Sequence, residues 1–149
     1  MKGKTEGWLV SLCFFLYKIF FLYGIERMKN MSKQWISHDG KAHITIALSA
    51  NPSQQEEYAA SELKNYLEYI TSSIIPIGDE NTPGPVIAIG KAAARLGVTA
   101  GKELGEDGFT IRTVGDSLAI VGGKRGVIYG VYEFLEKLGC RFFTPTCEK

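Results

Sequence analysis

The sequence predicts an α/β domain of the α+β type, a mixed β-sheet with two main helices packed on one face. Three observations predict it. Residues 54–70 and 127–138 space their apolar side chains three and four apart, the period of amphipathic helices. Short runs rich in β-branched residues lie around them and have the length of strands. Two of these runs, 108–114 and 117–122, are separated by Gly115-Asp116 alone. So short a link makes antiparallel neighbours of them, which excludes a purely parallel sheet.

The elements follow in order. HITIAL, His43 to Leu48, alternates Ile44, Ile46 and Leu48 with polar or small residues and reads as a strand. Asn51-Pro52 turns the chain. Ser53 and Glu56 then form an S-x-x-E capping box, in which each side chain satisfies an exposed N–H of a helix start. That helix runs to about Ile70, with Ala59, Leu63, Tyr66, Leu67 and Ile70 on its apolar face and Glu57, Glu62, Lys64 and Glu68 largely off it. Ile74 to Ile77 is a short strand candidate, and Asp79 to Gly84 (DENTPG) reads as a loop. Val86 to Gly90 (VIAIG) is a buried strand, and Lys91 to Leu96 forms a helical turn or two ended by Gly97. The hairpin from Gly108 to Gly122 comes next. GGKRG, Gly122 to Gly126, leads into the second helix, whose apolar face is Val127, Val131, Phe134, Leu135 and Leu138 and whose stop is Gly139. Arg141-Phe142-Phe143 is a final short strand, ended by Thr144-Pro145.

Of the 149 residues, 1–31 read as a hydrophobic leader and 32–149 as one domain with a single core. Lys2 and Lys4 precede the apolar run Trp8 to Ile25, the pattern of a secretory signal. Lys18 interrupts the run, no small-x-small cleavage site follows, and the stretch is slightly short for a membrane span. Met28 and Met31 offer later starts, which would leave a cytoplasmic protein without the leader. Export or membrane anchoring is the preferred expectation, placing the protein in a secreted, periplasmic or membrane-anchored state with membrane contact through the leader. Seventeen basic residues against sixteen acidic ones leave no surplus for neutralising phosphates, so a nucleic-acid partner is not expected. Of the three cysteines, Cys13 lies in the leader. Cys140 and Cys147 stand either as a disulfide or, preferably, as two thiols.

No metal site or cofactor is expected: there is no CxxC or HxxxH spacing, and His38 and His43 lack partners at metal-ligand intervals. The one stretch resembling a ligand loop is GGKRG, where Lys124 and Arg125 at a helix start are candidate residues for an anion or a carbohydrate. It has neither P-loop nor dinucleotide-binding spacing, and a tight turn that needs glycine is the favoured reading of it. No catalytic residue is assigned. Glu133 and Lys137 look like a solvated i, i+4 pair, and Glu106 and Asp107 sit in a polar loop. Tyr129, Tyr132, Phe134 and Phe142 form a sugar-stacking platform or, preferably, helical core packing.

Asp107 to Pro145 also carries a family pattern: a DGF strand, a G-D turn, a GG loop, RG-x-x-YG-x-Y-x-FLE, then LG-x-R-x-x-x-P. The upstream helix AASELKNYLEYIT and the VIAIG strand match in order. Residues 43–145 thereby resemble the N-terminal domain of α-glucuronidases and the related second domain of β-N-acetylhexosaminidases, in the version found in large bacterial glycosidases. The resemblance implies a β-hexosaminidase domain 2-like fold packed on a (β/α)₈ catalytic barrel, normally in the same chain, that supplies the catalytic carboxylates. None of the matching positions is catalytic in those families. Two functions are therefore expected: a non-catalytic accessory domain of a polysaccharide-degrading glycoside hydrolase, truncated before its barrel, or a stand-alone carbohydrate- or anion-binding module at the cell envelope.

Overall fold

In a computed structural model of the chain, residues 36–140 are described; the leader, the Arg141–Phe143 strand and Cys147 lie outside them. The elements are β1 (Ser37–His38), β2 (Lys41–Ala42), β3 (Thr45–Leu48), α1 (Gln54–Thr71), β4 (Ile77–Asp79), β5 (Val86–Ile89), β6 (Phe109–Val114), β7 (Ser117–Gly122) and α2 (Gly126–Lys137). Short 3₁₀ segments cover Gly90–Leu96 and Lys102–Leu104. β1 and β2 pair antiparallel on their own, and the other five strands form a mixed sheet in the order β4-β3-β5-β7-β6. β4, β3, β5 and β7 are mutually parallel, while β6 runs antiparallel to β7 at the edge.

Each connection has a local cause. The β6–β7 register pairs Val114 with Ser117, so Gly115-Asp116 is the turn, and Gly115 takes φ 57° there. At α1 the capping box is complete: Ser53 Oγ accepts from the Glu56 N–H at 3.2 Å, and the Ser53 N–H donates to Glu56 Oε2 at 2.7 Å. α2 ends in a Schellman turn. The Gly139 N–H donates to the Glu136 carbonyl and the Cys140 N–H to the Leu135 carbonyl, with Gly139 at φ 99°.

Side-chain alternation divides the sheet into two buried faces. Ile46, Ile87, Ile89, Leu118 and Ile120 share the face covered by α1 and α2, which pack on one another there. Gly130 of α2 lets the helix lie directly over Ile120 and Phe109. Ala47, Val86, Ala88, Ala119 and Val121 point the other way and pack with Ala92, Ala93 and Val98 of the Gly90–Leu96 segment and its exit. The two main helices thus occupy one face, and small side chains on the other admit a close-lying 3₁₀ segment.

Two strand boundaries and one hairpin differ from the sequence reading. The strand expected over Ile74–Ile77 is β4, Ile77–Asp79, shifted into the expected loop. Ile75 is buried off the end of α1, its N–H donating to Glu68 Oε1 at 3.0 Å, so contact with β3 begins only where the Pro76 carbonyl accepts the Ile46 N–H at 2.9 Å. The first strand starts at Thr45 rather than His43, and Ala47 is as buried as Ile46 because the strand is central. β1 and β2 were not anticipated. Their turn is Asp39-Gly40, with φ 52° and 74°, the two positive φ values of a type I′ hairpin.

Candidate functional site

β3, β5 and β7 are parallel, so the segments that follow them leave from one end of the sheet. After β3 the chain enters α1 on one face, and after β5 it enters the 3₁₀ segment on the other. Diverging connections open a crevice between neighbouring strands, which is where open α/β sheets take ligands. A cleft of about 480 Å³ lies there, within the usual range for small-molecule sites. Glu56, Gly90, Val98 and Val127 line it together with Lys91 and Lys124, both exposed.

Glu56 is the buried carboxylate of this site, only 6% exposed, and each of its oxygens accepts a backbone N–H. Oε2 takes the Ser53 N–H, and Oε1 takes the Lys91 N–H at 2.9 Å. Gly90 follows from that arrangement: it adopts φ 59°, and a Cβ there would fall on Glu56 Oε1. The anion at this helix start is therefore the chain's own. Lys91 Nζ reaches across to the Asn51 carbonyl at 3.1 Å.

The structure separates the two candidate ligand residues. Lys124 lines the cleft, whereas Arg125 is clasped to Asp107, with Nε on Oδ1 at 2.6 Å and Nη2 on Oδ2 at 3.0 Å. Asp107 raises the Arg125 pKa further above its ordinary value, through the hydrogen bond first and through charge second. Three N–H groups of the turn are engaged as well. Gly123 donates to the Gly108 carbonyl at 2.9 Å, and Arg125 and Gly126 donate to the Glu106 carbonyl at 2.8 and 2.9 Å. A Cβ at Gly123 would strike the Gly105 carbonyl, and one at Gly126 the Gly108 carbonyl. GGKRG thus seats the start of α2 on the loop that precedes β6.

The remaining candidates are dispersed. Glu133 pairs with Lys137 at 2.8 Å, as the i, i+4 spacing predicts. Phe134 is core, while Tyr129 is exposed and Tyr132 half-buried. The Tyr132 hydroxyl donates to Glu62 Oε2 at 2.8 Å and also shares a hydrogen bond with Tyr58. Burial first, and these two bonds after it, push the Tyr132 phenol well above its usual range. His38 and His43 meet edge to face with centroids 6.3 Å apart. Among the described residues, no three His, Cys, Asp or Glu side chains gather as metal ligands. The third bond of Glu56 went unread because its partner is 35 residues away and no local pattern marks it.

Residues 27–134 match the family described as glycosyl hydrolase family 67 N-terminus. The chain belongs to that family. Alpha-glucuronidase A of Emericella nidulans is 28% identical to this family 67 domain over 109 residues, covering 68% of this chain. The aligned stretch is 13% of the length of that protein. In family 67 the N-terminal domain is normally joined to a catalytic domain in the same chain.

Proposed function

We propose that this chain is the non-catalytic N-terminal accessory domain of a glycoside hydrolase of the α-glucuronidase type, or of the related β-hexosaminidase type. It acts in polysaccharide breakdown beside a (β/α)₈ catalytic domain. The family match carries this reading. The chemistry of the carboxylates supports it. Glycoside hydrolysis needs two carboxyl groups facing one another across a sugar. Among the described residues that line the cleft, Glu56 is the one carboxylate, and both of its oxygens are tied to backbone N–H groups. The basic start and apolar run of residues 2–25 favour work outside the cytoplasm or at the membrane. The test is turnover by the purified chain. No hydrolysis of aryl glycosides or glucuronosyl oligosaccharides is expected, and turnover abolished by changing one Glu or Asp would overturn the reading.

The cleft with Lys91 and Lys124 at its walls favours a second reading, a carbohydrate- or anion-binding module. Titration calorimetry with glucuronate separates the two. Heat of binding that is lost in Lys124→Ala with the fold intact would favour the module; no heat is expected for the accessory domain.

A further inference from the structure

The sheet has two edges, and they are unlike. β4 is three residues long, and its exit turns straight back, the Thr82 N–H donating to the Asp79 carbonyl at 3.2 Å. β6 runs for six residues, Phe109–Val114, in unbroken register with β7 and without a proline or a bulge. Its inward hydrogen bonds are set by the turn. Val114 and Ser117 close a two-residue link and so exchange both bonds, and the alternation of an antiparallel ladder gives the same role to Arg112, Thr110 and Gly108. The Gly123 N–H on the Gly108 carbonyl agrees with this phase. Phe109, Ile111 and Thr113 therefore turn their N–H and C=O groups away from β7. No hydrogen bond from another described residue reaches those groups.

We infer that the outer edge of β6 pairs with β6 of a second copy of this chain, antiparallel about a twofold axis at Ile111, so that the two sheets become one. Open edges are commonly guarded by proline, bulges or several charges, and β6 has the single charge of Arg112. Its sequence is complementary to itself in this register. Phe109 faces Thr113 of the second copy and Ile111 faces its own counterpart, so every outward N–H and C=O is matched. Arg112 then lies opposite Thr110, whereas centring the axis on Arg112 would set two guanidinium groups side by side. Ile111 lies on the helix face beside Ile120, and both it and Phe109 are half-buried, so pairing covers apolar surface as well. A net charge of +1 leaves little repulsion between copies. The hand of the fold argues against the chain's own end as occupant. α1 carries the chain from β3 to β4, and the Gly90–Leu96 segment carries it from β5 toward β7 over the other face and in the other direction, so both crossovers have one hand. A strand after α2 on the outer side of β6 would reverse that hand, and parallel crossovers are right-handed in about 98% of cases.

The experiment combines sedimentation velocity of the 149-residue chain over a concentration series with residue-resolved amide exchange. A monomer–dimer equilibrium is expected. The amides of Ile111 and Thr113 should slow as concentration rises, while those of Thr110 and Arg112, already bonded to β7, should not change. Thr113→Pro removes an outward N–H and none that β7 uses. It should weaken the dimer about tenfold or more, since each copy loses a bond, with circular dichroism as the control for folding. If that variant unfolds, exchange in the unchanged chain decides alone. A monomer throughout the series would overturn the inference. So would a dimer in which Ile111 and Thr113 exchange as fast as in the monomer, the result that association through residues 1–31 would give. Slow exchange of these two amides at every concentration, released by removing residues 141–149, would assign the edge to the chain's own end and overturn the choice of occupant.

Discussion

At Ser53 and Glu56 four atoms decide where a helix starts. The hydroxyl and the carboxylate each satisfy an N–H that α1 leaves without a helical partner, and the carboxylate uses its second oxygen on Lys91. Ser53→Ala should therefore cost about 1 kcal/mol, as the loss of an N-cap usually does, and this should appear as a lower urea midpoint with an unchanged slope. Glu68 gives a pH dependence. Lys64 and the Ile75 N–H lower its pKa below the ordinary 4.5, so the folded state holds its charged form more firmly than the unfolded state does. That contribution is present above the unfolded value and is lost as pH falls through the folded value. The stability gap between wild type and Glu68→Gln should accordingly narrow as pH drops below 4.5. A gap constant from neutral to acid pH would show that the carboxylate contributes nothing.

At the level of elements, the turn between β7 and α2 is a packing joint. Its glycines are needed by backbone rather than by ligand: Gly123 lies against the Gly105 carbonyl, and the N–H groups of Gly123, Arg125 and Gly126 are spent on Gly108 and Glu106. Gly123→Ala must push two backbone segments apart, so it should lower thermal stability clearly more than Arg125→Ala, whose ion pair with Asp107 is exposed. Equal effects would mean that the joint is held by the ion pair. The hairpin and α1 were legible because their signals are local: a Gly-Asp link between two alternating runs, and a capping box before an apolar stripe. β4 was misplaced for the opposite reason. Residues 74–77 have strand composition, but Ile75 donates its N–H to Glu68 of the preceding helix rather than to the sheet, so the paired strand begins only at Ile77. The Asp39-Gly40 hairpin carried its signal in plain view, a D-G pair, between strands of only two residues that show no alternation.

On the scale of the molecule, β3, β5 and β7 are central and β4 and β6 are edges, with helices above and a 3₁₀ segment below. The slowest amide exchange should fall in β5 and β7, whose side chains are buried on both faces, and the fastest sheet exchange in β4. Uniform protection across the five strands would contradict a core centred on β5. The sequence by itself determined the mixed sheet, the two helices with the start of α1 and the stop of α2, the β6–β7 hairpin and, through the DGF-to-FLE pattern, the family. Those depend on neighbours within a few residues, or on motifs that persist as text. Only the tertiary structure decided the strand order, the cleft between diverging connections and the parting of Lys124 from Arg125. Each of these joins residues well beyond the reach of a local pattern, and the free energy that gathers the elements is apolar burial, which has magnitude but no direction along the chain.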